Sequence, residues 1–123
     1  MTIVWLGCAG ALGAIARYGL TLAMLRSTGP GFPWGTLAAN LAGCFALGFL
    51  AEFAFEHPEA ATRARAVVGA GFLGAFTTFS TFGVETYRAF EAGLWGVVAA
   101  NVALNLLGGL LLVAAGFAVA RGM

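Results

Sequence analysis

Four apolar stretches, at about residues 2–26, 34–55, 66–90 and 94–120, occupy most of the chain. Each is as long as the roughly 20 residues that a helix needs to cross a bilayer. In hydrocarbon every backbone N–H and C=O has to be satisfied internally, which a continuous helix does. A soluble domain carries roughly 25% charged residues; this chain carries 9%, and 61% of it is hydrophobic. The expectation is an all-α membrane protein, a single domain over residues 1–123 with four transmembrane helices. The net charge of +1 shows no clustered basic face, so nothing points to nucleic acid.

The connections between the spans are short. Ser27–Pro33 holds two prolines and two glycines and reads as a turn. Glu56–Arg65 is the most polar stretch and reads as a loop, with His57 solvated rather than a ligand. Glu91–Gly93 joins the last two spans. No basic residue precedes Arg17, whereas a cleaved signal has a positive leading region, so the first span reads as retained. Cys8 and Cys44 both lie in apolar stretches and read as small packing residues.

The third span departs from an ordinary membrane helix at Gly69–Phe82. Gly69, Gly71 and Gly74 come first; then Thr77, Thr78, Ser80 and Thr81 are interspersed with Phe76, Phe79 and Phe82. Hydroxyl side chains compete for backbone hydrogen bonds, so a break near the middle of the third helix is expected. Irregular backbone at membrane depth is tolerated only where it is buried in protein or lines a watery path, which makes this stretch a candidate site. Phe79 and Phe82, three apart, share a helix face. Gly69–Gly74 also matches G-x-G-x-x-G, but without the strand and βαβ unit that a nucleotide-binding fingerprint requires.

The other spans carry few polar groups. Arg17 lies well inside the first, where a charge costs about 2.5–3.5 kcal/mol on insertion scales; a functional role and a structural pairing both remain open. Gly7, Gly10 and Gly13 permit close helix approach there, as do Gly35, Ala39 and Gly43 in the second span. Thr36 and Asn40 share a neighbouring face, and Asn101 and Asn105 share a face of the fourth span. Glu85 and Arg88, three apart near the far end of the third span, are placed so that they can pair. Trp34 and Trp95 suit the membrane interface.

With four spans, Arg63, Arg65 and Arg121 fall on one side of the membrane and Arg26 and Arg88 on the other. That is almost no positive-inside bias. Such a chain is expected to insert both ways round and to pair as an antiparallel dimer.

Three functions compete on the residues alone: an ion channel, a small dual-topology proton-coupled exporter of the multidrug type, and an accessory membrane subunit. No constellation for an enzyme is visible. The exporter needs a carboxylate deep in the membrane, and Glu52 and Glu85 lie toward span ends. The accessory reading leaves the density of polar groups in the third span unexplained. Amide and hydroxyl donors at Asn40, Asn101, Asn105, Thr36, Thr77, Thr78, Ser80 and Thr81, with the electropositive edges of Phe79 and Phe82, favour an anion.

Gly74–Phe82 followed by Glu85 resembles the signature of the Fluc/CrcB fluoride channel family. Gly13-Ala-Ile-Ala-Arg17-Tyr18 and Pro33–Gly43 resemble its first- and second-helix motifs, and the resemblance covers the whole chain. It implies a fluoride-selective channel that exports fluoride passively across the inner (plasma) membrane and protects the cell against fluoride toxicity. It implies a dual-topology antiparallel homodimer in the bilayer. Phe79, Phe82 and Asn40 would flank the fluoride path, with Thr36, Ser80 and Thr81 as its hydroxyl track. A structural Na⁺ at the dimer interface would be held by the backbone carbonyls of Gly74 and Thr77 from each copy. Arg17 and Glu85 would have structural or electrostatic parts. In the fourth span the family often has Tyr and Ser where this chain has Asn101, Asn105 and Gly109, so that either Asn105 substitutes as a donor or the helix only packs.

Overall fold

The computed structural model describes residues 1–56 and 58–123, with side chains described outside 56–60; the expected loop residue His57 lies outside the described residues. Among the described residues, four helices are long and apolar enough to cross a membrane: Thr2–Thr28, Trp34–Phe55, Ala61–Glu91 and Trp95–Arg121. The protein is a multi-pass, all-helical membrane protein, as the composition requires.

α1 (Thr2–Thr28) ends at Gly29, whose φ of 76° returns its N–H to the Leu25 carbonyl at 3.0 Å. Only glycine holds that backbone conformation without strain. After Pro33, α2 (Trp34–Glu56) begins. The polar stretch Glu56–Arg65, expected as a loop, is helical from Pro58: α3 covers Pro58–Ala64 and runs directly into a π-helical stretch, Arg65–Leu73. Proline lacks the N–H that a first helical residue leaves unused, and most of the residues that follow it are good helix formers. Polarity alone therefore did not make a loop.

The third span does break. α4 (Gly74–Phe76) is a single turn, Thr77 (ψ 158°) and Thr78 (ψ 116°) are extended, and α5 (Phe79–Glu91) restarts the helix. The fourth span is α6 (Trp95–Ala103), a π-helical turn (Leu104–Gly108) and α7 (Gly109–Arg121).

Small residues set the packing. α2 and α7 form the most extensive seam. A Cβ on Gly116 would run into the Phe45 carbonyl and stand 2.6 Å from the Phe49 nitrogen; one on Gly48 would strike the Val113 backbone. At the end of this seam Arg121 grips the buried Glu52 at 2.6 Å. α1 lies against the π-helical stretch of the third span: a Cβ on Gly13 would strike the Phe72 carbonyl, and one on Gly71 would stand 2.9 Å from the Leu6 carbonyl oxygen. A Cβ on Gly7, by contrast, would meet nothing within 4 Å among the described residues. Gly43 of α2 meets the methyl of Thr77, which puts the second helix directly on the break.

Candidate functional site

The site is built on the interruption at Thr77–Thr78. In a continuous helix the Thr78 N–H would bond the Gly74 carbonyl and the Thr81 N–H would bond the Thr77 carbonyl. Both amides are diverted. Thr78 N–H donates to Asn40 Oδ1 at 2.8 Å, and Thr81 N–H donates to Thr78 Oγ1 at 3.2 Å, which caps the start of α5. Asn40 also donates from Nδ2 to the Thr78 carbonyl at 3.1 Å. Its side chain thus grips Thr78 at two points, as a neighbouring backbone would, and stands in for the missing helical bonds.

Gly74 and Thr77 are two of the residues at the break whose i+4 donors have gone elsewhere, and Gly74 is exposed on the outer face of the chain. Neutral oxygens of this kind suit a hard cation, so the residues expected to hold Na⁺ fit that ion. Arg17 lies nearby: its Nε donates to the Ala75 carbonyl at 3.2 Å, bracing the turn before the break from α1.

A second set of bonds ties Asn40 to the fourth span. Asn40 Nδ2 donates to Asn105 Oδ1 at 2.9 Å. Asn105 Nδ2 donates to the backbone carbonyl and Oδ1 of Asn101 at 2.9 and 3.0 Å. The fully buried Asn101 donates to Thr86 Oγ1 at 2.9 Å, and Thr86 donates to the Phe82 carbonyl at 2.7 Å. Asn105, considered as a substitute donor in the fourth span, meets the expected pore amide as an acceptor instead, its own Nδ2 being spent on Asn101. Thr86 was not foreseen. A lone hydroxyl one turn beyond Phe82 was its only signal, and such residues usually bond their own helix, as Thr86 also does.

The expected hydroxyl track divides into two clusters. Ser80 lies 3.3 Å from the Thr78 hydroxyl, which donates to Thr81 Oγ1 at 3.0 Å. Thr36, fully buried, donates instead to Glu85 Oε1 at 2.8 Å. Thr78, Thr81 and Glu85 recur at i, i+3 and i+7, one face of a helix, opposite Thr36 and Asn40 of α2. Glu85 therefore engages Thr36 rather than Arg88. Glu85 lies beside Thr36 across the helix interface, whereas Arg88 is exposed to the surroundings. The second carboxylate oxygen of Glu85 is buried without a partner among the described residues. Phe79 and Phe82 have ring centroids 5.5 Å apart and tilted planes. Phe82 is buried and Phe79 is 78% exposed. Together they line an apolar groove with Thr86, Val98 and Val102.

Comparison with known proteins places the whole chain in a family. The family model described as CrcB-like protein, Camphor Resistance (CrcB), matches residues 4–117. A protein of Dehalococcoides mccartyi named Fluoride-specific ion channel FluC is 46% identical over 111 residues, covering 90% of this chain and 85% of its own length. One of the same name from Rhizobium meliloti is 41% identical over 125 residues, covering 98% of this chain and 97% of itself. Another, from Agrobacterium fabrum, is 36% identical over 123 residues, covering 100% and 98%. With end-to-end matches of this kind, the chain belongs to the CrcB-like family.

Proposed function

We propose that this chain forms a fluoride-selective channel through which fluoride leaves the cell passively, relieving fluoride toxicity. The observation that carries the reading is the helix break gripped by Asn40. It sets neutral amide and hydroxyl groups beside two phenylalanines at the middle of a span, in a chain whose relatives are named fluoride channels. Fluoride is small and strongly hydrated. A path for it has to replace water with N–H and O–H donors and still release the ion. Asn40, Ser80 and Thr81 supply such donors at the break, and Phe79 and Phe82 present ring edges to it. Thr36 continues the polar face one helical turn away, held by Glu85. The exporter alternative is disfavoured: Glu52 is held by Arg121 and Glu85 by Thr36, and the relatives carry channel names.

The working unit is an antiparallel homodimer in the plasma membrane. The weak charge bias supports insertion in both directions, and the exposed break offers its carbonyls to a second copy. The Gly74 and Thr77 carbonyls of each copy would hold a Na⁺, which supplies a fixed positive charge between the subunits. Arg17 braces the turn that carries Gly74.

The test is anion efflux from liposomes holding the purified protein. Fluoride leaves rapidly without a proton gradient and chloride does not. Asn40→Asp replaces two donors by an acceptor and abolishes the fluoride flux. Equal chloride and fluoride release would refute selectivity, and full flux in Asn40→Asp would remove Asn40 from the path.

A further inference from the structure

The relay Thr86–Asn101–Asn105–Asn40 has a backbone group at each end. Phe82 offers a carbonyl, which only accepts, and Thr78 offers an N–H, which only donates. These ends fix every amide between them. Thr86 gives its proton to Phe82, so its oxygen accepts from Asn101 Nδ2. Asn101 Oδ1 is then left for Asn105 Nδ2, and Asn105 Oδ1 for Asn40 Nδ2. Turning any one amide over would set N–H against N–H or oxygen against oxygen.

The same accounting shows that Asn40 has no spare donor. One of its two Nδ2 hydrogens goes to the Thr78 carbonyl and the other to Asn105 Oδ1, while its oxygen takes the Thr78 N–H. An anion bound by Asn40 has to displace one of those acceptors. Thr78 is held at two points and is part of the backbone. Asn105 is held at Asn40 by a single side-chain bond, and its own Nδ2 stays anchored on Asn101.

We propose that the Asn105 side-chain carbonyl is the resident ligand that fluoride displaces from Asn40, so that Asn105 sets how tightly this channel holds the ion. The proposal rests on the fluoride-channel reading. Asn105 works as a competitor: each fluoride that binds breaks the Asn40–Asn105 bond, and its re-formation helps expel the ion. Tight binding would slow conduction, and this internal acceptor keeps binding loose.

The experiment is single-channel fluoride current in planar bilayers as a function of fluoride concentration, for the wild type, Asn105→Ala and Asn105→Asp. Losing one neutral competitor shifts binding by roughly the worth of a net hydrogen bond, about 3- to 10-fold. Asn105→Ala therefore lowers the half-saturating fluoride concentration by about that factor, with a smaller maximal current. Asn105→Asp, a stronger acceptor, raises it. A purely structural role would move both variants the same way, and that result, or an unchanged half-saturation in Asn105→Ala, overturns the proposal. Should Asn105→Ala fail to fold, Asn105→Ser carries the same expectation, because its short hydroxyl falls short of Asn40. A wild type without fluoride current would instead refute the channel reading itself. Wild-type current with a normal response in all Asn105 variants refutes only the competitor.

Discussion

Gly116→Ala is the sharpest single perturbation of the fold. Gly116 sits where α7 crosses α2, and an added Cβ would collide with the Phe45 carbonyl, lie 2.6 Å from the Phe49 nitrogen and 3.1 Å from the Gly48 carbonyl carbon. All three are backbone atoms, so no side chain can turn aside. Non-bonded contacts settle near 3.5 Å or beyond, so the two helices have to part by about 1 Å. Overpacking of this kind costs about 1–3 kcal/mol, against about 1 kcal/mol gained when alanine replaces glycine in a helix. The same parting stretches the 2.9 Å bond from Asn40 to Asn105 past hydrogen-bonding range, at about 1 kcal/mol more. The net loss is about 1–3 kcal/mol. Thermal unfolding in detergent reads it against Gly19→Ala, where nothing lies within 4 Å and the propensity gain stands alone. Fluoride efflux falls in Gly116→Ala and not in the control. If Gly116→Ala were as stable as Gly19→Ala, the α2–α7 seam would be yielding rather than rigid, and the argument would fail.

Phe82→Ile removes a buried ring that packs tilted against Phe79 while keeping an apolar side chain, so fluoride flux drops sharply in a protein that still folds; wild-type flux would take Phe82 out of the mechanism. Thr78→Val deletes the oxygen that caps α5 through the Thr81 N–H, costing about 1 kcal/mol, and hydrogen exchange at the Thr81 amide speeds up; unchanged exchange would mean that the cap is idle. For Arg121 and Glu52, paired at 2.6 Å with the arginine side chain 64% exposed, a double-mutant cycle with Arg121→Ala and Glu52→Gln gives a coupling of about 1 kcal/mol. No coupling at all would make the contact incidental.

The four spans and the broken third helix were legible because each rests on local chemistry. Long apolar runs specify spans. Thr77, Thr78, Ser80 and Thr81 in succession compete with helical bonds wherever they stand. Asn40 was legible as the main polar group of its span, but its partner was not. Asn105 lies 65 residues away, and nothing in the local pattern says that a two-point bond to Thr78 leaves one N–H for the fourth helix. The Thr36–Glu85 bond, 49 residues in span, was hidden by the nearer and more obvious Arg88. The helix from Pro58 runs against its polarity, which suits a loop, and follows its propensity, which suits a helix. The π-helical stretches Arg65–Leu73 and Leu104–Gly108 have no signal in hydropathy, which records apolar length and not the spacing of backbone bonds.

The π-helical turn at Leu104–Gly108 also bears on how the gene tolerates length changes. An i→i+5 turn accommodates one residue more than the α-helix around it. Deleting a single residue there would let the fourth span close into a regular helix while keeping the register beyond it. Gly109 and Gly116 would stay on α2, and Arg121 by Glu52. The same deletion inside α6 would rotate everything beyond it by about 100° and turn those residues away. A codon lost at the π-helical turn is therefore far less damaging than one lost in the α-helix before it, and drift in the length of the fourth span is absorbed at this turn.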